Sequence, residues 1–284
     1  MEKLPISVII VAKNAEATIA ECMSAVQKNK PFEIIVIDGN STDRTIEISR
    51  RYTERIYSDE GKGLGYARQL GAEMANQEYI AYVDSHVILL GETALATMFT
   101  DFKNSDCVGI NAKIAPNMKC SDYWEWGQYQ HDLYSQFHGH RKNYFSTMAG
   151  LIRREIILKY GFNLSPKVHI DDLDMEFRLR RKGYRFGISS ALFHNHYRTG
   201  FKWLFSHRFN HYGRPAAYYV HNWGIWHAYL WPPLVMLYWI GFSFLNGKPN
   251  LVPYFVTNGV SQTLGMLKGF VEILWESLRK SSSN

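Results

Sequence analysis

Short apolar runs and amphipathic stretches take turns through the first half of the chain, and few folds accommodate that rhythm. Ile6 to Val11 reads as an apolar strand, and Glu16 to Gln27 as a helix with Ile19, Cys22, Met23 and Val26 at core-facing spacing. Glu33 to Ile37 is a second strand, ending in Asp38. Asp43 to Arg50 is a short helix with Ser41, Thr42 and Asp43 as N-cap candidates. Arg55 to Tyr57 is a short strand, Gly65 to Ala75 a helix, and Tyr79 to Val83 a further buried strand. This order implies an α/β fold with a mostly parallel sheet and right-handed crossovers. Val108 to Ile114, Phe145 to Met148 and Arg185 to Ser189 read as additional strands, and Asp172 to Lys182 as a helix stopped by Gly183.

The character changes after about residue 200. No Lys, Arg, Asp or Glu lies between Arg214 and Lys248, or between Lys248 and Lys268. The first gap carries Trp223, Trp226, Trp231 and Trp239 around Leu230–Leu237. Its length suffices for a membrane span, and Trp and Tyr favour the membrane–water interface. Paired prolines, His221, Asn222 and His227 dilute the apolar signal, so the region reads as an interfacial or re-entrant hairpin in preference to a spanning pair. The alternative is a helical subdomain with an ordinary aromatic core. Gly269 to Lys280 closes the chain as an amphipathic helix. Two regions result: 1–215, with halves at about 1–115 and 116–215, and 216–284. The net charge of +6 is concentrated between Arg178 and Arg214, which suits phosphates, nucleic acid or an anionic bilayer. Cys22, Cys107 and Cys120 have neither paired nor metal-type spacing, consistent with a reducing compartment. The N-terminus has no signal-peptide pattern, which leads us to expect a protein on the cytoplasmic side of a membrane.

Four groups of residues carry chemistry. Asp38 ends an apolar strand where an acidic residue can accept a hydrogen bond from a nucleobase or ribose. Gly61-Lys62-Gly63-Leu64-Gly65-Tyr66-Ala67-Arg68 offers close backbone approach before a helix N-terminus, with Lys62 and Arg68 turned toward a diphosphate. Asp84 and His86 follow the strand Tyr79–Val83, and a carboxylate beside an imidazole suits Mn²⁺ or another first-row divalent ion. The competing reading makes Asp84 ordinary turn chemistry. His169-Ile170-Asp171-Asp172-Leu173-Asp174 opens a helix with more acids than capping requires, as a general base and its neighbour would.

In this order and spacing the chain resembles a family 2 glycosyltransferase of the GT-A fold, a Rossmann-like sheet flanked by helices. The likeness runs through Ser7–Asn14, Val36–Thr45, Gly61–Gly71, Asp84–His86, and Asp171–Asp174 with Arg178 and Gly183, covering about residues 5–215. The resemblance implies transfer of a sugar from a nucleotide-sugar, a UDP-sugar by analogy, to a lipid-linked or glycan acceptor at a membrane surface, with no nucleic-acid partner. It implies that Ala12, Asn14, Asp38, Lys62, Arg68 and Asp84 bind the donor, and that Asp84, His86 and a histidine after the next strand, His194 ahead of His196, hold a divalent metal, manganese in preference to magnesium. Asp172, with Asp171 beside it, would deprotonate the acceptor. Trp124, Trp126, His196 and Arg178 stand as acceptor-side candidates. The family has Asp where this chain has His86. Asp84-Ser85-His86 is similar to the metal motif of the polypeptide N-acetylgalactosaminyltransferases, which retain anomeric configuration. Inversion is the expectation, because the Asp171-Asp172 pair supplies a base. A Gln-x-x-Arg-Trp motif is absent, which favours single transfers over polymerisation.

Overall fold

The computed structural model describes residues 3–116, 119–138, 145–164, 171–196 and 200–281. His140, His169, Ile170, Tyr197, Arg198 and the closing residues 282–284 lie outside the described residues. The chain forms two compact units. The first comprises Met1–Met118, His131–Pro166 and Asp171–Tyr197; the second comprises Lys119–Gln130, Lys167–Ile170 and Arg198–Asn284. The sequence boundary at 215 therefore falls inside the second unit.

The first unit follows the expected alternation: β1 (Leu4–Ala12), α1 (Ile19–Lys28), β2 (Pro31–Asp38), α2 (Thr45–Ser49), β3 (Ile56–Ser58), α3 (Leu64–Met74) and β4 (Tyr79–Val83). It continues with β5 (Val87–Leu89), α4 (Ala94–Lys103), β6 (Gly109–Ile114), the later part of α5 (Tyr123–His138), β7 (Ala149–Arg153), α6 (Arg154–Tyr160), α7 (Asp171–Arg180) and β8 (Phe186–Asn195). The eight strands lie in the order β3-β2-β1-β4-β7-β6-β8-β5. β3, β2, β1 and β4 are parallel, as are β6 and β8. β7 runs antiparallel to β4 and β6, and β5 antiparallel to β8. Ala12 pairs with Asp38 in register, and β4 flanks the other side of β1, so Ala12, Asp38 and Asp84 all emerge at the carboxyl edge of the parallel half. Ligands of open α/β sheets bind at that edge.

The core lies between the sheet and its helices: Ile9, Ile35, Ile37, Ala67, Ile80, Tyr82, Ile152, Met175 and Leu179 are buried together. Two close approaches hold α3 there. A Cβ on Gly71 would meet Ile9 Cγ2 at 2.5 Å, and one on Gly65 would overlap the Asn163 carbonyl oxygen.

Two strand assignments differ from the sequence reading. Phe145 to Met148 is not a strand; β7 starts at Ala149. Phe145 is fully buried and packs its ring 5.5 Å from that of Phe186, so its apolarity serves the core from a loop. β8 continues past Ser189 to Asn195, because Ser189 Oγ and Ser190 N both donate to Asp101 Oδ2 at 2.7 Å and leave the strand intact. The reading also passed over α4, whose Leu95, Met98 and Phe102 face the core at helical spacing.

The second unit contains the start of α5, α8 (Phe201–His207), a π-helical turn (Arg208–Gly213), α9 (Arg214–Trp223), a 3₁₀ segment (Trp226–Leu230), α10 (Trp231–Leu245) and α11 (Val252–Ser281). The helices approach closely at glycines. A Cβ on Gly259 would meet Met236 Cβ at 2.5 Å, and one on Gly269 would meet Ala217 Cβ at 2.7 Å. Trp239 stacks on Phe255 with ring centroids 5.5 Å apart. The outward faces of α10 and α11 are apolar: Leu234, Leu237, Phe244, Leu245, Leu267, Leu274 and Leu278 are all exposed. The segment His227–Leu245 is long and apolar enough to cross a membrane by length and composition, and 17% of it is buried within the chain.

Candidate active site

The loops after β1 and β2 are laced together at the carboxyl edge. Asn14 adopts a left-handed conformation at φ 49°, and its Oδ1 accepts from Thr42 N at 2.9 Å. Asn14 N donates to Ser41 Oγ at 2.9 Å, and Ala15 N to Thr45 Oγ1 at 2.7 Å. Asp43, just ahead of the α2 N-cap Arg44, accepts from Thr45 N at 3.0 Å and from Glu16 N at 3.0 Å, tying the two loops together. Asp38 sits beneath this lacing. Its Oδ2 accepts from Ser41 N at 3.0 Å, while its Oδ1 is buried with no protein partner. A buried acceptor left open is costly unless something else satisfies it. A shallow cavity of about 460 Å³ opens beside Asp38, lined by Ile46, Arg50, Tyr57 and Ser58 among others.

Asp84 leaves β4 with its backbone fixed on three sides. Its N–H donates to Met148 O at 3.0 Å, and its carbonyl accepts from Val87 N at 2.9 Å and from Cys22 Sγ at 3.5 Å. That turn carries His86 to the start of β5. β5 pairs with β8 so that Val87 faces Asn195 and Ile88 faces His194. His196 then falls opposite His86 and donates its N–H to the His86 carbonyl at 2.8 Å. His196, not His194, is therefore the direct cross-strand neighbour of His86. His194 lies two residues along the same face, a step of about 6.6 Å. The His196 Nε2 lies 2.9 Å from Glu21 Oε2.

The acid pair divides into a buried and a reachable member. Asp171 is fully buried, with Oδ1 2.7 Å from Arg68 Nη1 and Oδ2 unpartnered. Burial, outweighing the guanidinium beside it, raises the Asp171 carboxyl to about 6. Asp172 is half-buried; its Oδ2 accepts from Thr147 N and Thr147 Oγ1, both at 3.3 Å, and its Oδ1 from Leu173 N at 2.9 Å.

Arg68 and Arg178 are committed differently from the sequence expectation. Arg68 does not face outward toward a diphosphate: it is 5% exposed, binds Asp171, and reaches Asp84 Oδ1 at 3.5 Å. Arg178 donates to the Tyr160 carbonyl at 2.9 Å and the Gly161 carbonyl at 2.7 Å, and pairs with Asp174 at 2.8 Å. It satisfies the open carbonyls at the end of α6, as basic groups do at helix C-termini. Lys62 is exposed, with its ammonium 2.6 Å from Glu60 and 4.6 Å from the Tyr66 ring centroid. Trp124 and Trp126 belong to the second unit, where Trp124 packs against Phe201 with centroids 5.3 Å apart. The first unit thus brings Asp84, Asp171, Asp172 and Arg68 together from segments up to 103 residues apart. Sequence reasoning missed Thr147, which seats Asp172, and Glu21, which meets His196; neither lies in a recognisable motif.

The model of glycosyl transferase family 2 matches residues 7–161, just over half of the chain. The chain belongs to glycosyl transferase family 2. It is 30% identical over 186 residues to the cholesterol galactosyltransferase of Borreliella burgdorferi, covering 56% of this chain and 51% of that protein. It is 29% identical over 126 residues to the poly(ribitol-phosphate) beta-N-acetylglucosaminyltransferase TarS of Staphylococcus aureus, covering 39% and 22% respectively. The chain spans between about a fifth and a half of the length of the curated relatives it matches. Among solved structures it is similar to the mannosyltransferase PcManGT from Pyrobaculum calidifontis in complex with GDP-Man and Mn²⁺. That TM-score is 0.65 at 13% identity, covering 94% of this chain and 88% of that one. A second likeness is to the glucosyl-3-phosphoglycerate synthase of Mycobacterium tuberculosis in complex with Mn²⁺, UDP and glucosyl-3-phosphoglycerate. Its TM-score is 0.52 at 15% identity, covering 68% and 72%. These likenesses establish the fold as GT-A.

Proposed function

We propose that the chain transfers a sugar from a nucleotide-sugar, a UDP-sugar first among the candidates, to a hydroxyl or phosphate of a lipid-linked or glycan acceptor, with inversion. The observation that carries this reading is that Asp38 and Asp84, inside the residues the family 2 model matches, leave the two strands flanking β1 at one edge of the sheet, while Asp172, beyond those residues, adjoins the Asp171–Arg68 pair that reaches Asp84. Asp38 Oδ1, buried and open, accepts an N–H of the nucleobase. Lys62 stands at the glycine-rich turn, exposed and able to leave Glu60 for a phosphate. Asp172 is the general base: it is reachable, and Thr147 orients it while leaving lone pairs for the acceptor O–H. Asp171, fully buried, supports its neighbour and does not touch the acceptor.

A divalent cation fits the residues around Asp84. Asp84 and His86 offer a carboxylate and an imidazole from one turn, a donor pair suited to manganese more than magnesium. Of His194 in β8 and His196 just beyond it, the position opposite His86 favours His196 as a third donor, once released from Glu21. Among the described residues no three His, Cys, Asp or Glu side chains gather closely enough to hold a metal alone. The fit is therefore to a cation that arrives with the donor diphosphate, whose oxygens complete its shell. When bound, the cation neutralises charge developing on the leaving diphosphate.

The apolar outer faces of α10 and α11 support seating of the second unit on a membrane surface. Patches this extensive are uncommon on water-facing monomers. The charged residues of α11, Lys268, Glu272, Glu276 and Arg279, favour a helix lying in the interface over one crossing it.

The test is a binding and hydrolysis panel of UDP- and GDP-sugars with Mn²⁺, Mg²⁺ or EDTA, on wild type and Asp84→Ala. Metal-dependent binding of one nucleotide-sugar, abolished by Asp84→Ala, is the expected result. Absence of binding to every sugar nucleotide under all three conditions refutes the reading.

A further inference from the structure

Arg68 is buried among carboxylates on the floor of the site. Its Nη1 meets Asp171 Oδ1 at 2.7 Å, while Nη2 lies 3.5 Å from Asp84 Oδ1, at the outer limit of a hydrogen bond. The first contact is a tight, desolvated ion pair, and the second is loose and lies beside an Asp84 side chain that remains 22% exposed. Arg68 is also fixed through its backbone: Tyr82 Oη donates to its carbonyl at 3.0 Å from β4, two residues before Asp84. Tyr82 is in turn packed edge-on against Phe162, with centroids 5.6 Å apart. One turn before Arg68, Gly65 lets α3 approach the chain at Asn163 and the head of α7; a Cβ there would lie 3.5 Å from the Asp171 Cβ. α3, β4 and α7 therefore meet at one guanidinium.

We propose that Arg68 is a positioning residue joining the two halves of the site: it fixes the acid pair of α7 relative to Asp84 from beneath, without touching the donor. The inference rests on the transferase reading above. Three carboxylates, Asp84, Asp171 and Asp172, act on the charge of Arg68, so the cluster is net negative and attracts a cation. The arrangement gives the two Arg68 contacts different duties. The Asp171 bond pins the first residue of α7 and thereby the adjacent base, Asp172. The Asp84 contact is weak enough to yield when Asp84 takes up a cation. Lysine keeps the charge but lacks a planar fork able to span two carboxylates, so it does not replace arginine here.

The inference separates from the alternative in which Arg68 binds the diphosphate directly. The variants are Arg68→Lys and the charge-neutral double variant Arg68→Met with Asp171→Asn, which avoids leaving Asp171 buried and unpaired. For each, the dissociation constant of Mn²⁺ with UDP and with GDP is measured calorimetrically beside kcat and donor KM for nucleotide-sugar turnover. Thermal melting confirms that at least one variant is folded. The expected result is a dissociation constant and a KM within threefold of wild type, with kcat reduced at least tenfold and not rescued by lysine. A tenfold or greater rise in the dissociation constant with kcat retained overturns the proposal and returns Arg68 to the donor site. Unchanged kcat in both variants overturns it as well. Failure of wild type itself to bind any metal–nucleotide pair refutes the underlying transferase reading, and is distinguishable because wild type binds in every other outcome.

Discussion

Replacing Gly65 by alanine sets two physical effects against each other inside one helix turn. Gly65 is the second residue of α3 and has no left-handed backbone angle, so alanine is conformationally allowed. On propensity alone the change stabilises the helix by up to about 1 kcal/mol. The structure predicts the opposite sign. The added Cβ overlaps the Asn163 carbonyl oxygen and lies 3.2 Å from its carbonyl carbon, and a backbone carbonyl cannot rotate away as a side chain would. Ordinary carbon contacts are about 3.5–4.0 Å, so α3 or the Asn163 segment must retreat. Overpacking of this kind costs about 1–3 kcal/mol. Against the full propensity gain, the net loss reaches about 2 kcal/mol, which for 150–250 residues lowers Tm by up to about 8 °C. The assay is thermal unfolding followed by circular dichroism, with nucleotide-sugar turnover measured in parallel because Asp171 lies 3.5 Å from the same Cβ. An unchanged or raised Tm with undiminished turnover refutes the close approach of α3 to the head of α7.

Asp172→Asn is expected to lower kcat about 10²–10⁴-fold while donor KM stays near wild type, read by steady-state kinetics. Arg178→Ala should lower stability by about 1–3 kcal/mol through loss of its bonds to the end of α6, read as a lower Tm, and leave kcat/KM within twofold. The Asp171 carboxyl, raised from 3.8 to about 6, contributes stability that is fully present below the unfolded value and lost as pH rises through about 6. The amount is on the order of 3 kcal/mol. Denaturant titrations between pH 4 and 8 should therefore show a smaller pH dependence in Asp171→Asn than in wild type. Leu267→Glu with Leu274→Glu, both on the exposed face of α11, should abolish co-flotation with anionic vesicles while sparing Mn²⁺–nucleotide binding.

Much of the first unit was legible because its signals are local. Alternating apolar strands and amphipathic helices report burial along a few residues, and β1 to β4 and their helices fall within a few residues of the sequence reading. The apolar run into Asp84 and the Asp171-Asp172 pair stand out because carboxylates beside such strands and helix heads need a reason to be there. Phe145 misled the strand assignment because burial from a loop and burial from a strand leave the same apolar mark.

What tertiary structure alone decided is which polar groups are already spent. Arg68 and Arg178 look alike in sequence as cations near a phosphate or acceptor site. Folding commits Arg68 to Asp171, 103 residues away, and Arg178 to two carbonyls that exist only where α6 ends. Asp171 and Asp172 are chain neighbours, yet one is sealed against Arg68 and the other is seated on Thr147, because adjacent residues of a helix point about 100° apart. The choice between His194 and His196 likewise depends on the register of β5 against β8. Hydrophobic pattern is written along the chain, whereas the pairing of charges depends on where distant segments end up, and the sequence carries no local record of that.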